Sequence, residues 1–253
     1  MQQLPYRAVI VDLDRTLLRT DKSISAYTEQ VLREWEASGA GIYVATARPE
    51  RAIADYRGII PFRSAVTLNG ARIITPTAVY ENPISPDSAA SLLERLCLIE
   101  GTVISAETGN GIYANTDIPA WNPTVIDDMR MLPGNEKIYK ILASHVSRAP
   151  DRMSIAAPED VYSTVADRNL IQFMSRSATK WNGIRQILQE DRIRTEEAIY
   201  FGDDNDDVEP IRMCGFGVAV SNALEHVKQI ADAVTGSNDD DGVAKYLAAL
   251  RGL

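Results

Sequence analysis

Three clusters of polar residues follow apolar stretches of this sequence and a lysine opens a helix after a polar one, and their residue types are those that phosphoryl transfer requires. Asp12 and Asp14 stand two positions apart after the run AVIV that starts at Ala8. Thr46 and Arg48 follow GIYVA, Lys180 follows the polar stretch SRSAT, and Asp203, Asp204, Asp206 and Asp207 crowd into the residues after AIYFG. Carboxylates serve as nucleophile, as proton carrier and as ligands of a hard cation, while hydroxyl and cationic groups hold nonbridging oxygens. Magnesium prefers carboxylate and water oxygens, and two or three protein oxygens suffice because it keeps most of its waters. Asp12 and Asp203 can supply them, and the cation would let an anionic carboxylate approach an anionic phosphate.

These residues need elements that aim them at one centre. AVIVD is apolar and β-branched until it stops at charge, as a buried parallel strand does when it ends at a site. Two carboxylates two residues apart would share a strand face but not a common centre beyond it, so the chain turns after Asp12. Ser25 predicts the N-cap of a helix whose face carries Val31, Leu32 and Trp35, with Gly39 as its stop. The strand GIYVAT and a helix starting at Arg48-Pro49 continue a βαβ rhythm. That rhythm returns late, with a helix from Lys180 to Glu190, strands AIYFG and GVAV, a helical stretch after Asp207 and a terminal helix through Tyr246 and Leu250. In an open parallel sheet, ligands bind beyond the carboxyl ends of the strands, where the three clusters fall.

Between the two halves the texture changes. A helix capped by Ser85 and Pro86 precedes short strand-like pieces at Thr102 to Ser105, Gly111 to Asn115, Lys137 to Ala143 and Leu170 to Met174. The expected organisation is a Rossmann-like α/β core over residues 1–82 and 178–253 with an inserted α+β domain over 83–177.

Composition narrows the function. The 253 residues carry a net charge of −9, which argues against a sequence-independent nucleic-acid binder. The N-terminal MQQLPYRAVIVDLD has no signal-peptide core and no stretch reaches membrane-spanning length. Cys97 and Cys214 form neither a disulfide framework nor a zinc site, so a cytoplasmic protein is expected.

Taken together, DLDRTLL, VATAR, Lys180 and GDDNDD resemble the four motifs of the haloacid dehalogenase (HAD) superfamily, specifically its Cof-type phosphatases with a large C2-type cap. TLNGARI at Thr67 to Ile73 and the C-terminal stretch from Gly217 are similar to that family as well. The resemblance implies a magnesium-dependent phosphatase acting through an aspartyl-phosphate. It makes Asp12 the nucleophile and a metal ligand, and Asp14 the general acid and base, with its backbone carbonyl on the metal. Asp203 completes the ligands, Thr46 and Lys180 hold the phosphoryl group, and Asp207 supports Lys180 or a metal-bound water. Arg48, Asn69, Gly70 and Asp206 would meet a small phosphorylated metabolite: a sugar phosphate first, then flavin mononucleotide or pyridoxal phosphate. The inserted domain would close over the core to exclude water. A phosphomutase with the same intermediate and a noncatalytic phosphate-binding regulator are the alternative functions.

Three positions depart from the family pattern. Arg15 replaces the commonest glycine of the first motif, which either restricts the turn or adds a cation near the entrance. Ala47 replaces the glycine of the second motif, and Asp206 stands where asparagine is usual. Other polar residues have plainer readings. Asp204 and Asn205 are turn formers, and Asp239 to Asp241 is a solvated helix start. Gly109 and Gly111 mark a hairpin, and His145 and His226 have no triad or metal partners. Leu92, Leu93 and Leu96 are core, as Tyr113 and Trp121 are expected to be, with stacking on a substrate as the alternative use of those two rings.

Overall fold

The computed structural model describes residues 6–147, 149, 155–166 and 170–252. Residues 1–5, part of the N-terminal segment read above, lie outside them. The chain divides into two compact units, one running to Tyr80 and resuming at Thr179, the other spanning Glu81–Ala178.

In the first unit, β1 (Ala8–Val11) is buried at every position and ends one residue before Asp12. Helix α1 (Ala26–Ala37) starts at Ser25, whose hydroxyl accepts from Thr28 N at 3.0 Å. It buries Thr28, Val31, Leu32 and Trp35 along one face and stops before Gly39, whose φ of +95° suits a residue without a β-carbon. Strand β2 (Gly41–Ala45) pairs parallel with β1, β3 (Ser64–Thr67) parallel with β2, and β4 (Arg72–Ile74) antiparallel with β3. The short β5 (Val79–Glu81) edges the sheet.

The helix expected from Arg48-Pro49 is instead two short 3₁₀ turns, Glu50–Ala52 and Ala54–Gly58. Arg48 explains part of this. Its guanidinium donates to the Ala52 carbonyl at 3.3 Å, and its own carbonyl accepts from Leu68 N, so backbone groups an α-helix would use are committed elsewhere.

The second unit begins with α2 (Pro86–Cys97), capped by Ser85 with Pro86 in its first turn. Strands β6 (Thr102–Thr108), β7 (Gly111–Ala114), β8 (Thr124–Val125), β9 (Ile138–His145), β10 (Val161–Ala166) and β11 (Leu170–Ser175) form a mainly antiparallel sheet in the order β10-β11-β9-β6-β7-β8. The β6–β7 connection is the hairpin read from Gly109 and Gly111. Strands β8 and β10 escaped the sequence reading; β8 has only two residues, both exposed. Leu92, Leu93 and Leu96 of α2 pack with Ile104, Ile141 and Phe173 into a separate apolar core. Tyr113 packs against that core, but Trp121 is 39 % exposed and belongs to no core. Its flanking Pro119 and Pro123 break any strand or helix that would fold it inward.

The first unit resumes with α3 (Lys180–Glu190), β12 (Ala198–Gly202), α4 (Val208–Met213), β13 (Phe216–Val220), α5 (Glu225–Ile230), β14 (Ala233–Thr235) and α6 (Gly242–Arg251). Its sheet runs β14-β13-β12-β1-β2-β3-β4-β5. Strand β1 therefore lies between β2 and β12, where the strand order reverses, and its carboxyl end opens onto the natural ligand crevice of such a sheet. The fold is a Rossmann-like α/β core interrupted in sequence by an α+β unit. Among the described residues, no helix is long and apolar enough to cross a membrane.

The acidic run Asp239 to Asp241 is not simply solvated. Asp239 accepts from the backbone and hydroxyl of Thr20, both at 2.8 Å, while Asp241 accepts from Arg19 at 2.9 Å and Thr28 at 3.2 Å. These partners lie more than 200 residues earlier, so local helix-start chemistry concealed a tie to the loop after β1.

Candidate active site

Asp12 extends from the end of β1 and is 5 % exposed. Its Oδ1 accepts from Lys180 Nζ at 2.7 Å, and the same ammonium donates to Asp207 Oδ1 at 2.6 Å. Thr179 caps α3 by accepting from Asn182 N, which places Lys180 on the first helical turn at the carboxyl end of the sheet. Asp207 reaches the same point because β12 ends at Gly202 and the chain turns sharply. Asp204 caps the 3₁₀ turn Asn205–Asp207, and Asp207 Oδ2 accepts from Asp203 N at 2.8 Å and Asp204 N at 3.0 Å. A side chain on Gly202 would put its β-carbon 2.5 Å from Asp207 Cβ, so the turn requires glycine.

Carboxylate oxygens of Asp12, Asp203 and Asp207 all lie within 4.8 Å of one another, and all three residues are buried. Asp207 spends both oxygens on Lys180, Tyr200, Asp203 N and Asp204 N. Asp203 Oδ1 accepts from Thr16 at 2.9 Å. Asp12 Oδ2 and Asp203 Oδ2 have no hydrogen bond among the described residues, which leaves them as the oxygens able to hold a cation. Thr16 and Tyr200 were not singled out by the sequence reading. Thr16 is signalled by its place four residues after Asp12, whereas nothing in the apolar run AIYFG marks Tyr200.

Three buried carboxylates face one lysine, and this imbalance governs their protonation. Burial raises the Asp12 carboxyl well above the ordinary range; Lys180 opposes that shift, and Asp207 and Asp203 reinforce it. Burial, then Asp207, pushes Asp203 up to about 6. For Lys180 burial works against the charged form, but Asp12 and Asp207 outweigh it and raise the ammonium further. Burial first, then Asp207, raises the Tyr200 phenol, which stays protonated and donates to Asp207 at 2.5 Å.

A carboxyl whose folded pKa exceeds its unfolded value adds stability below the unfolded value and loses it as pH rises through the folded one. Asp203 alone, pushed up to about 6, then accounts for about 1.4 kcal/mol of stability lost between pH 5 and pH 7.5. The metal-free protein should therefore melt roughly 3 to 6 °C lower at pH 7.5 than at pH 5. A divalent cation held by the open oxygens of Asp12 and Asp203 would raise the melting temperature at pH 7.5 and change it little at pH 5, where protons occupy the same oxygens. Scanning calorimetry across that pH range checks this, and an equal effect of the cation at both values would refute it.

Asp14 has a different setting. It is half-exposed and accepts from Arg48 Nε at 2.6 Å, Arg48 Nη2 at 2.7 Å and Lys22 Nζ at 2.7 Å. Burial raises its pKa, but bonds from Arg48 and Lys22 outweigh that and bring it down to about 2. Arg48 is itself steadied over the Tyr56 ring, 5.6 Å from its centroid. Lys22 is a third contributor that the sequence reading missed.

Arg15 has a φ of +61°, a left-handed conformation that glycine adopts without penalty and that costs other residues roughly 1–2 kcal/mol. Thr46 is buried after β2; its hydroxyl accepts from Arg48 N at 3.2 Å, and its carbonyl accepts from Asn69 N at 3.0 Å. Asn69, at φ +50°, donates to Asp206 at 2.5 Å, while its Oδ1 is buried without a hydrogen-bond partner among the described residues. Gly70 has a φ of +97°, and a β-carbon there would lie 2.2 Å from the Thr179 carbonyl. It thus permits close approach of the Asn69 loop to the start of α3.

Comparison with known proteins agrees with this geometry. A model of the haloacid dehalogenase-like hydrolases matches residues 9–247. The chain is 27 % identical to 5-amino-6-(5-phospho-D-ribitylamino)uracil phosphatase of Bacillus subtilis (strain 168), with 98 % of each chain covered. It is also 27 % identical to a putative phosphatase of Haemophilus influenzae, covering 99 % of this chain and 98 % of that one. Among solved structures, a HAD-superfamily phosphatase from Bacteroides thetaiotaomicron superimposes with a TM-score of 0.86 at 20 % identity, over 98 % of this chain and 96 % of its own. With a matching family model over nearly its whole length, HAD-type topology and carboxylates gathered at the switch point, the chain belongs to the haloacid dehalogenase-like hydrolases, among their phosphoric monoester hydrolases.

Proposed function

We propose that the enzyme is a magnesium-dependent phosphatase that hydrolyses a small phosphomonoester through an aspartyl-phosphate on Asp12. The observation that carries this reading is the buried group of Asp12, Lys180, Asp203 and Asp207 at the carboxyl ends of β1 and β12. Its donor set fits a hard divalent cation: only carboxylate oxygens are offered, two are free of hydrogen bonds, and the group carries excess negative charge. Asp12 and Asp203 would hold magnesium together with the Asp14 carbonyl, and the bound cation would reduce repulsion between carboxylate and phosphate.

The residues then divide the work. Lys180 and Thr46 hold the nonbridging oxygens, with the free Asn69 Oδ1 available to a substrate hydroxyl. An oxygen of Asp12 attacks phosphorus as the bond to the leaving oxygen breaks, and Asp14 gives that oxygen a proton. In the second step Asp14 takes a proton from water, the water oxygen attacks phosphorus, and the acyl-phosphate P–O bond breaks to release phosphate and Asp12. Asp14 cannot be an acid while it is held anionic by Arg48 and Lys22. It must part from at least one of them when substrate binds, and the incoming phosphate is the competing anion.

The 27 % identical relative is named for a phosphorylated ribityl compound, which supports a sugar phosphate or cofactor phosphate as substrate. Phosphate release from sugar phosphates, flavin mononucleotide, pyridoxal phosphate and p-nitrophenyl phosphate, with magnesium and with a chelator, tests the reading. Release with metal and none with chelator is expected. Undiminished release in chelator would end the magnesium reading, and transfer between phosphosugars without net release would replace hydrolysis by a mutase reaction.

A further inference from the structure

We propose that Arg15 determines specificity by binding a second anionic group on the substrate, a carboxylate or a further phosphate. The inference rests on the phosphatase reading above and deepens it.

Two charge imbalances of opposite sign adjoin at this site. The inner set has one lysine, Lys180, for the carboxylates of Asp12, Asp203 and Asp207, and it suits a cation. Around the half-exposed Asp14 the ratio reverses. Lys22 and Arg48 already share that carboxylate, and Arg15 follows it directly in the chain. The side chain of Arg15 is exposed and makes no hydrogen bond or ion pair among the described residues. Two cations bond that one carboxylate, on a protein whose net charge is −9. Such a local field attracts an anion against the global one. The transferring phosphoryl group can draw one of these cations away, and the exposed Arg15 side chain, next in the chain, has no partner among the described residues.

The backbone supplies a separate observation. Arg15 at φ +61° and Lys22 at φ +70° are both left-handed, and both lie in the loop that follows the nucleophile strand. Glycine would meet this requirement at Arg15 without strain, so what the arginine adds is its side chain. The conformation is also held from outside. Asn222 donates to the Arg15 carbonyl at 2.7 Å and accepts from Asn238 N at 3.0 Å, and buried Asn238 donates to the Leu18 carbonyl at 3.0 Å. A strained backbone fixed at both ends of its turn presents a long cationic side chain from a constant position. A guanidinium there can take a carboxylate or phosphate by two parallel hydrogen bonds.

The test uses matched substrates: 3-phosphoglycerate against glycerol 3-phosphate, and glucose 1,6-bisphosphate against glucose 6-phosphate. The wild-type enzyme should favour the more anionic member of at least one pair. Arg15→Gly and Arg15→Asn, both compatible with the left-handed backbone, should lower that preference in kcat/KM by roughly tenfold to a hundredfold, mainly through KM. Arg15→Lys should retain part of it. An unchanged ratio in Arg15→Gly, or no preference in the wild type for either pair, would overturn the proposal. The same pairs are titrated calorimetrically into the Asp12→Asn protein in the presence of magnesium, with Arg15 kept or changed to glycine, so the comparison does not depend on turnover. Absence of phosphate release even from p-nitrophenyl phosphate would defeat the phosphatase reading, whereas equal binding of both members of each pair would defeat the role of Arg15.

Discussion

Asp12→Asn should reduce phosphate release by about 10⁴-fold or more, because the proposed mechanism forms its covalent intermediate on Asp12. Asparagine keeps the size of the side chain and an oxygen that can accept from Lys180, so the loss would not reflect collapse of the site. The same substitution should raise the melting temperature of the metal-free protein at pH 7.5. It removes one anion from a buried set in which three carboxylates share a single lysine. The two readouts move in opposite directions, as expected where a strained charge arrangement serves chemistry at the expense of stability. A variant that lost both activity and stability would show instead that Asp12 mainly supports the fold. Retained turnover would remove Asp12 as the nucleophile.

Lys180→Met should have the opposite effect on stability. Lys180 is 4 % exposed and is the ammonium that bridges Asp12 and Asp207. Removing one partner of a buried ion pair costs about 3–5 kcal/mol, because the remaining charges stay desolvated and unpaired. For a chain of this size the melting temperature should fall by roughly 6 to 20 °C at pH 7.5. Much of that loss should be recovered at pH 5, where Asp12 and Asp203 can take protons instead. Phosphate release should be lost at both values. Calorimetry at the two pH values separates this from simple loss of packing, since methionine of similar length would destabilise equally at both if charge were not the cause.

Much of the core was legible because its elements announce themselves locally. Ser25 caps its helix where the sequence places it, the helix expected from Lys180 starts there, and the apolar runs before Asp12 and Asp203 became adjacent parallel strands. Misread elements depended on distant partners. The Arg48 segment was drawn away from an α-helix by bonds to Leu68 and to its own 3₁₀ turn, and the Asp239 to Asp241 run was claimed by Arg19, Thr20 and Thr28. Short β8 has too few residues to show a periodicity at all.

By itself the sequence determined which residue types were available for chemistry, and that all but Lys180, at a helix start, would stand at the end of an apolar strand. Strand period, capping and turn preference act over a few residues and so can be read from a few residues. Only the tertiary structure decided how their charges are shared. It gave Lys180 to Asp12 and Asp207 together, recruited Tyr200 from inside a strand, and bound Asp14 to Arg48 and Lys22. It also left two carboxylate oxygens open and Arg15 unpaired. Electrostatic and hydrogen-bond partners are set by distance in space rather than along the chain, and desolvation depends on everything packed around them.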